Sequence, residues 1–568
     1  MAILRVIVLL LSLLGFLQRT SMSIRPDFAP GVVVCFAGSV MFLSGILGIL
    51  PVGVYTLLAS GLFLLIYALI KKQSFRCILS FSNCLLLLLL LYFFLTLHGM
   101  KLTGYDDFSH WGLITRILVT RDRFPNAEDL NLTFQAYPPG SAAFIYFVTK
   151  ASGLTDEWVW LYAQAAAVLS LFVSLLAFGK NLKEKIILTG VLLILLCSNT
   201  FFINLLVDTL ITSIAVCLHC FCLYYREELK DKRLYLLPML IYLTAVKTSG
   251  LFYYAIACCY VLIREHSAAI KWKKWLPVFA VGLVPLVLWR WHVRVTFQNG
   301  MLTKHALSLE YFLKTIGDKN WGGMKFILVQ MIKELLSPKR EVLYLLAFVL
   351  LLFLSCRKAL TKQKECLLRE VLILVFISAL AYTALLYLMY LFSMPWYEAS
   401  VLAGFERYLR TFTAFACAIL SAALLNSFPI MEWESTAKSV ASIIIWLAIL
   451  LLTMGRRPDF YLRWPMETEP RTYADQMIEN YHIPKGMSYI VMLKEEPEDG
   501  GYLSYMFRYV LDSKNVKLIT AEQLVNETPT QEDADFFIAY EWDETIQKEL
   551  ENRYGERADR VVALRNET

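Results

Sequence analysis

Apolar and polar positions along this chain are segregated into blocks. Long hydrocarbon-like runs are separated by short polar connectors, without the residue-by-residue alternation of a half-buried strand. A bilayer core needs about 20 apolar residues in helical form. Runs approaching that length fall at about Ile3–Leu17, Gly31–Leu50, Val52–Ile70, Ile78–Leu97, Trp158–Phe178, Ile186–Ile203 and Leu205–Tyr224. Others follow at Leu234–Val246, Leu251–Ile263, Leu276–Trp291, Val342–Ser355, Val371–Phe392, Thr411–Leu425 and Val440–Met454. The pattern predicts an all-α polytopic membrane protein of 13 or 14 spans. The first run has one Arg near its start and no small-x-small cleavage site after it, so it reads as a retained span.

The connectors set the orientation. Lys71–Arg76, Lys180–Lys185, Arg226–Arg233, Lys271–Lys274 and Arg357–Arg369 are short and basic, and all fall on one side in this arrangement. The excess of Lys and Arg marks that side as cytoplasmic. Residues 98–157, Val293–Arg340, Ser393–Arg407 and everything after Gly455 then lie outside. Fourteen spans put the N-terminus outside as well, and thirteen put it inside.

From about residue 456 the apolar blocks stop. This stretch, 456–568, carries 14 Lys and Arg against 23 Asp and Glu, a net −9, so the chain's +7 leaves +16 for residues 1–455. Strand-like runs at Ser488–Leu493, Val516–Thr520 and Phe536–Tyr540 alternate with helical spacing at Tyr502–Leu511 and Glu544–Tyr554, which predicts a small extracytoplasmic α/β domain. No glycine-rich phosphate loop follows a strand, so a nucleotide site is not expected there.

Composition agrees with the membrane class: 58% of residues are hydrophobic, 18% are charged, and mean hydropathy is +0.55. The twelve cysteines all lie in spans or their cytoplasmic ends, which excludes a disulfide framework outside. Cys217, Cys220 and Cys222, with His219, read as packing residues of an apolar span. The basic residues follow topology, so nucleic-acid binding has no support.

Chemistry concentrates between Gly104 and Gly140. Asp106 and Asp107 follow the fourth run by a few residues, and His110 stands four and three positions after them, on the same face if the segment is helical. Trp111, Ile114, Ile117 and Leu118 form an apolar stripe, predicting an amphipathic helix along the interface with Trp111 at headgroup depth. Tyr137-Pro138-Pro139-Gly140 then ends any helix. Without further signal this is a solvated loop with an interfacial helix.

The ordering of a span, an acidic pair, an aromatic with a His, an interfacial helix and a Tyr-Pro-Pro-Gly turn resembles the first extracytoplasmic loop of the GT-C glycosyltransferases. The nearest branch is that of protein O-mannosyltransferases and lipid A aminoarabinose transferases. Many members of the aminoarabinose branch have Glu-Lys where this chain has Ala136-Tyr137. The resemblance implies a GT-C-like membrane domain over 1–455, with Asp106, Asp107 and His110 catalytic and Tyr137 at the substrate.

Four further groups fit this picture. Asp208 opens an apolar span and is either a helix N-cap or a residue facing a polar cavity; the resemblance implies the cavity. Lys247 separates two short apolar segments, as a snorkelling lysine or as the superfamily's Lys-x-x-Gly element. Arg290, His292 and Arg294 end one span, and Glu406, Arg407 and Tyr408 precede another, as interfacial anchors or as phosphate ligands. A divalent cation, if one takes part, would go to Asp106 and Asp107.

The implied reaction is sugar transfer, with inversion, from a polyprenyl phosphate donor to an envelope acceptor that is a glycan, lipid or protein. An envelope polysaccharide polymerase or ligase using a pyrophosphate-linked glycan is the alternative, and a transporter the third reading. The localisation expected is the plasma membrane. A reporter active only outside the cytoplasm should work when fused after Gly140, Arg340 or Thr568 and fail after Lys183, Lys232 or Lys362; the reverse pattern would overturn the orientation.

Overall fold

The computed structural model describes residues 2–564 apart from 130, 131, 133, 198–201, 266–271, 298–308, 338–366, 428–469, 498, 527, 528, 531 and 555–558. The chain opens with helices α1 (Ala2–Ser21), α2 (Ala29–Ile46), α3 (Leu50–Ile70) and α4 (Phe81–Leu97). A π-helical turn, Asp107–Trp111, leads into α5 (Gly112–Arg121), followed by α6 (Gly140–Ser152) and α7 (Glu157–Phe172), which continues as a 3-10 turn to Phe178. Then come α8 (Leu182–Cys197), α9 (Asp208–Tyr224), α10 (Leu229–Val246), α11 (Gly250–Glu265), α12 (Leu276–Gly282) and α13 (Val284–Thr296). Next are α14 (Leu309–Gly317), α15 (Trp321–Leu336), α16 (Leu367–Phe392), α17 (Trp396–Ser400) and α18 (Phe405–Ser427).

Seven of these helices are long and apolar enough to cross a membrane: α1, α2, α3, α7 with its 3-10 continuation, α12 with α13, α16 and α18. Helices α4, α9 and α11 are apolar but shorter. Of the expected spans, Val342–Ser355 and Val440–Met454 lie outside the described residues. The Leu276–Trp291 run is divided near Leu283, where Pro285 at the start of α13 has no N–H to continue the ladder. The two segments flanking Lys247 are separate helices of 18 and 16 residues, α10 gaining its length by starting in the basic connector at Leu229, and neither is among the helices long and apolar enough to span.

The described parts of the basic connectors meet at one end of the bundle. Arg25 donates to Asp27 (3.0 Å) and to the Tyr224 hydroxyl (2.8 Å), and the Ser82 hydroxyl also donates to Asp27. Lys232 donates to the Ser23 carbonyl at 2.7 Å, and Arg264 bridges Glu227 and Glu370 at 2.6 and 3.4 Å. The loop 98–157, the starts of α9 and α18 and the junction of α10 with α11 lie at the opposite end. The core between is apolar, with Cys217, Cys220 and Cys222 buried as thiols and His219 placed edge-on to Phe415, its Nδ1 2.8 Å from the Ala215 carbonyl.

The C-terminal unit contains α19 (Arg471–Asn480), β1 (Tyr489–Leu493), α20 (Tyr502–Val510), β2 (Val516–Thr520), α21 (Ala521–Asn526), β3 (Phe536–Ala539), α22 (Glu544–Tyr554) and β4 (Val561–Ala563). The sheet order is β2-β1-β3-β4. β1 pairs in parallel with β2 and β3 and is buried at every position, as expected of a central strand covered on both faces. Strand β4, antiparallel to β3, was not anticipated; at three residues it is too short to carry an alternation signal.

Helix α20 docks this unit on the π turn. Phe108 meets Tyr502 and Tyr509 at 5.7 and 5.2 Å, and the Tyr502 hydroxyl donates to the Thr103 carbonyl at 3.1 Å. Glu157 anchors the junction: it accepts from Leu102 N–H (2.7 Å), Tyr509 hydroxyl (2.9 Å) and Arg471 (3.2 Å). The Arg471 and Glu157 side chains are 8% and 17% exposed, and Arg471 has a second partner in Asp475 at 3.0 Å. Glu157→Ala removes the acceptor of Leu102, Tyr509 and Arg471 at once but leaves Arg471 paired, so it should destabilise the protein by about 2 kcal/mol. Lys101→Ala, breaking the half-exposed pair with Asp475, should cost under about 1 kcal/mol. Thermal denaturation of the purified variants checks both; equal midpoints would refute the anchoring role.

Candidate active site

After α4 the backbone turns at Gly104, whose N–H donates to Asp107 Oδ2 at 3.2 Å. A Cβ at this position would stand 2.7 Å from that oxygen, so the approach needs glycine. Asp107 Oδ1 accepts from Leu205 N–H at 2.7 Å. The carboxyl thus ties the start of the loop to the strand of chain leading into α9. Gln164 holds that same strand from its other side, donating to the Asn204 and Leu206 carbonyls at 3.2 Å. Asp107 is fully buried, and burial raises its carboxyl to about 8 against the opposing pull of the Leu205 amide.

Asp106, one residue earlier, has a different setting. Its side chain is 36% exposed, and its Oδ2 receives Arg407 Nη1 at 2.7 Å. Arg407, in the first turn of α18, also faces Asp208, with Nε 3.6 Å from Oδ2. Asp208 in turn holds Lys247 Nζ at 3.2 Å through Oδ1. Asp106, Arg407, Asp208 and Lys247 form a row of alternating charges drawn from four separate stretches. Asp208 opens α9 without capping it through its side chain; its carboxylate faces Lys247 and Arg407 instead.

Lys247 leaves α10 in extended conformation, and its ammonium lies 5.7, 5.9 and 6.0 Å from the rings of Tyr137, Tyr408 and Trp111. The close approach that permits this is at Gly140, where a Cβ would come within 2.4 Å of the Ala245 carbonyl. Tyr137 stacks between Trp111 and Phe134 at 5.8 and 5.6 Å, both within 8° of parallel. Burial moves its hydroxyl up to about 12.

His110 departs from expectation. Asp107 and His110 belong to a π turn, whose wider winding carries the imidazole away from the carboxylates. The ring lies edge-on against Trp111, Phe134 and Tyr137 at 4.4 to 5.6 Å. Both ring nitrogens are buried without a hydrogen-bond partner among the described residues. Burial, and secondly the Lys247 charge, lower its pKa to about 3, so it is neutral at physiological pH. The expected interfacial setting is also corrected: residues 107–111 are all buried, because α20 covers the face expected to meet water.

The other predicted ligands divide. Tyr408 joins the site, its hydroxyl 3.5 Å from Arg407 Nη2. Glu406 faces Arg410 instead, at 2.8 Å. His292 stacks on Trp289 and donates to the Pro125 carbonyl at 2.9 Å, fastening the loop after α5, while Arg290 and Arg294 are exposed. No hydrogen bond or ion pair connects these three to the charge row among the described residues. Each Asp107 oxygen already accepts one backbone amide, and among the described residues no three His, Cys, Asp or Glu converge as metal ligands. Sequence reasoning did not single out Gln164, Glu157 or Arg471, whose partners named above, Asp475 apart, lie 40 to 352 residues away.

No protein-family description, no curated protein and no solved structure matches the chain.

The two aspartates should separate by pH. Folding raises the Asp107 carboxyl from 3.8 to about 8, so the folded chain holds that proton more tightly than the unfolded chain. The associated stability is whole below about pH 4 and is lost as pH rises to about 8. Thermal midpoints of wild type should fall across that window, and Asp107→Asn should flatten the fall. Parallel curves for the two proteins would show that Asp107 is ionised in the fold.

Proposed function

We propose that the chain is an integral membrane glycosyltransferase of GT-C-like design. It would move a sugar from a polyprenyl phosphate donor to a hydroxyl of an envelope acceptor, on the membrane face opposite the basic connectors. The observation that carries this reading is the Arg407 guanidinium held between Asp106 and Asp208 at one end of an apolar bundle. Its Nε faces the Asp208 Oδ2 at 3.6 Å but is buried and makes no hydrogen bond among the described residues. A buried donor of that kind is open to a further acceptor, and a planar guanidinium fits the oxygens of a phosphate.

In the proposed step the acceptor oxygen attacks the anomeric carbon and its proton passes to the Asp106 carboxylate. The bond from that carbon to the phosphate oxygen breaks, its electron pair stays on the polyprenyl phosphate, and the anomeric centre inverts. Arg407 and Lys247 offset the charge gathering on the leaving phosphate. Donor binding at Arg407 also loosens its hold on Asp106, which makes that carboxylate a better base as the substrate arrives. A base so placed is worth roughly a hundred- to ten-thousandfold in rate. Asp107 has no part in proton transfer here, because its carboxyl is buried and committed to backbone. The stack of Trp111, Tyr137 and Phe134 would give the sugar an apolar wall.

The test uses purified protein with a panel of polyprenyl phosphate sugars and envelope extract. Asp106→Asn should lose at least a hundredfold in turnover while folding normally. Arg407→Lys should lose roughly ten- to hundredfold in kcat/KM, the cost of a charge-assisted bond, and Arg407→Ala more. Full turnover by Asp106→Asn would remove the base. Turnover only with pyrophosphate-linked oligosaccharides would replace the donor class, and solute uptake without any transfer would favour a transporter.

A further inference from the structure

A pocket of about 310 Å³ opens at the far end of α6 from the candidate active site. Its walls include Arg5 of α1, Tyr55 of α3, and Tyr146, Thr149, Lys150 and Thr155 on and after α6. Gly140 at the start of α6 touches the end of α10, and Gly153 after its last turn meets Arg5 at the start of α1. Helix α6 therefore lies across one end of the bundle, and the pocket sits about 18 Å along it from Gly140, at 1.5 Å per residue. Gly153 has φ +72°, and a Cβ there would come within 2.7 Å of the Arg5 guanidinium, so glycine lets the arginine rest on backbone.

The charges of the pocket do not balance. Lys150 Nζ is held by both oxygens of Asp122 at 2.7 and 2.8 Å, and the Tyr146 hydroxyl donates to Asp122 at 2.6 Å, so that group is neutral as a whole. Arg5 has no hydrogen-bond or ion-pair partner among the described residues and supplies a net positive charge. Around it the surface is hydrocarbon: Ile3 and Leu4 are 78% and 65% exposed, and Val52 and Tyr55 are exposed on α3. A guanidinium with free donors, a pocket of headgroup size and an adjoining apolar helix face together match a molecule with an anionic head and an acyl tail.

We propose that this pocket binds the phosphate of an anionic phospholipid headgroup, with the acyl chains lying along α1 and α3. The same recognition could serve a soluble phosphate ester, and the experiment separates the two. Delipidated protein is titrated with phosphatidylglycerol or phosphatidylcholine and the bound lipid is counted by native mass spectrometry, with and without glycerol 1-phosphate. Wild type should prefer phosphatidylglycerol by roughly tenfold, the effect of one charge-assisted contact, and glycerol 1-phosphate should not displace it. Arg5→Gln should abolish the preference, Arg5→Lys should retain part of it, and Lys72→Gln, an exposed lysine after α3, should leave it intact. Equal preference in wild type and Arg5→Gln, with both proteins folded by size exclusion and thermal midpoint, would overturn the site. Displacement by glycerol 1-phosphate would overturn the lipid as its ligand.

Discussion

Charge compensation at the end of an apolar bundle is the constraint on which this structure depends. An ionised side chain taken from water costs several kcal/mol unless another charge and hydrogen bonds meet it. Asp106, Arg407, Asp208 and Lys247 meet this by alternating in sign, with Arg407 and Asp208 each between two opposite charges and Asp106 and Lys247 at the ends facing one. Since the four residues come from different stretches, satisfying them also fixes where α9 and α18 begin and α10 ends relative to the loop after α4. The four charges sum to zero, so under the proposed reading an arriving phosphate would upset the balance and couple donor binding to base activation.

Asp107 plays a separate part although it is adjacent in sequence. Its carboxyl satisfies backbone amides of Gly104 and Leu205, and Gln164 braces the same strand from behind. The loop is then covered by α20, with Glu157 gathering Leu102, Arg471 and Tyr509 into one junction. The C-terminal unit is for this reason part of the wall around the loop and not a freely tethered appendage. Polar groups beneath it lose access to water; Asp107 finds backbone partners there, whereas the Ser109 hydroxyl and both His110 nitrogens find none among the described residues.

What could be read from the chain alone follows from local periodicity. Runs of apolar residues placed the helices, because a hydrocarbon phase tolerates little else. Three of the four C-terminal strands, the basic connectors at a single end, and the concentration of polar chemistry in 104–140 were likewise legible. Tertiary structure decided which charges pair, since Asp106 and Arg407 are 301 residues apart and no period links them. It decided that Asp106 is half-exposed and Asp107 buried, a difference made by Leu205 and by the cover of α20. It also set the π turn that directs His110 into an aromatic stack and away from the acids, and it left Arg290, His292 and Arg294 outside the charge row. Hydrophobic spacing is a property of neighbours along the chain, whereas the compensation of a buried charge depends on whichever distant segment the fold brings within about 4 Å.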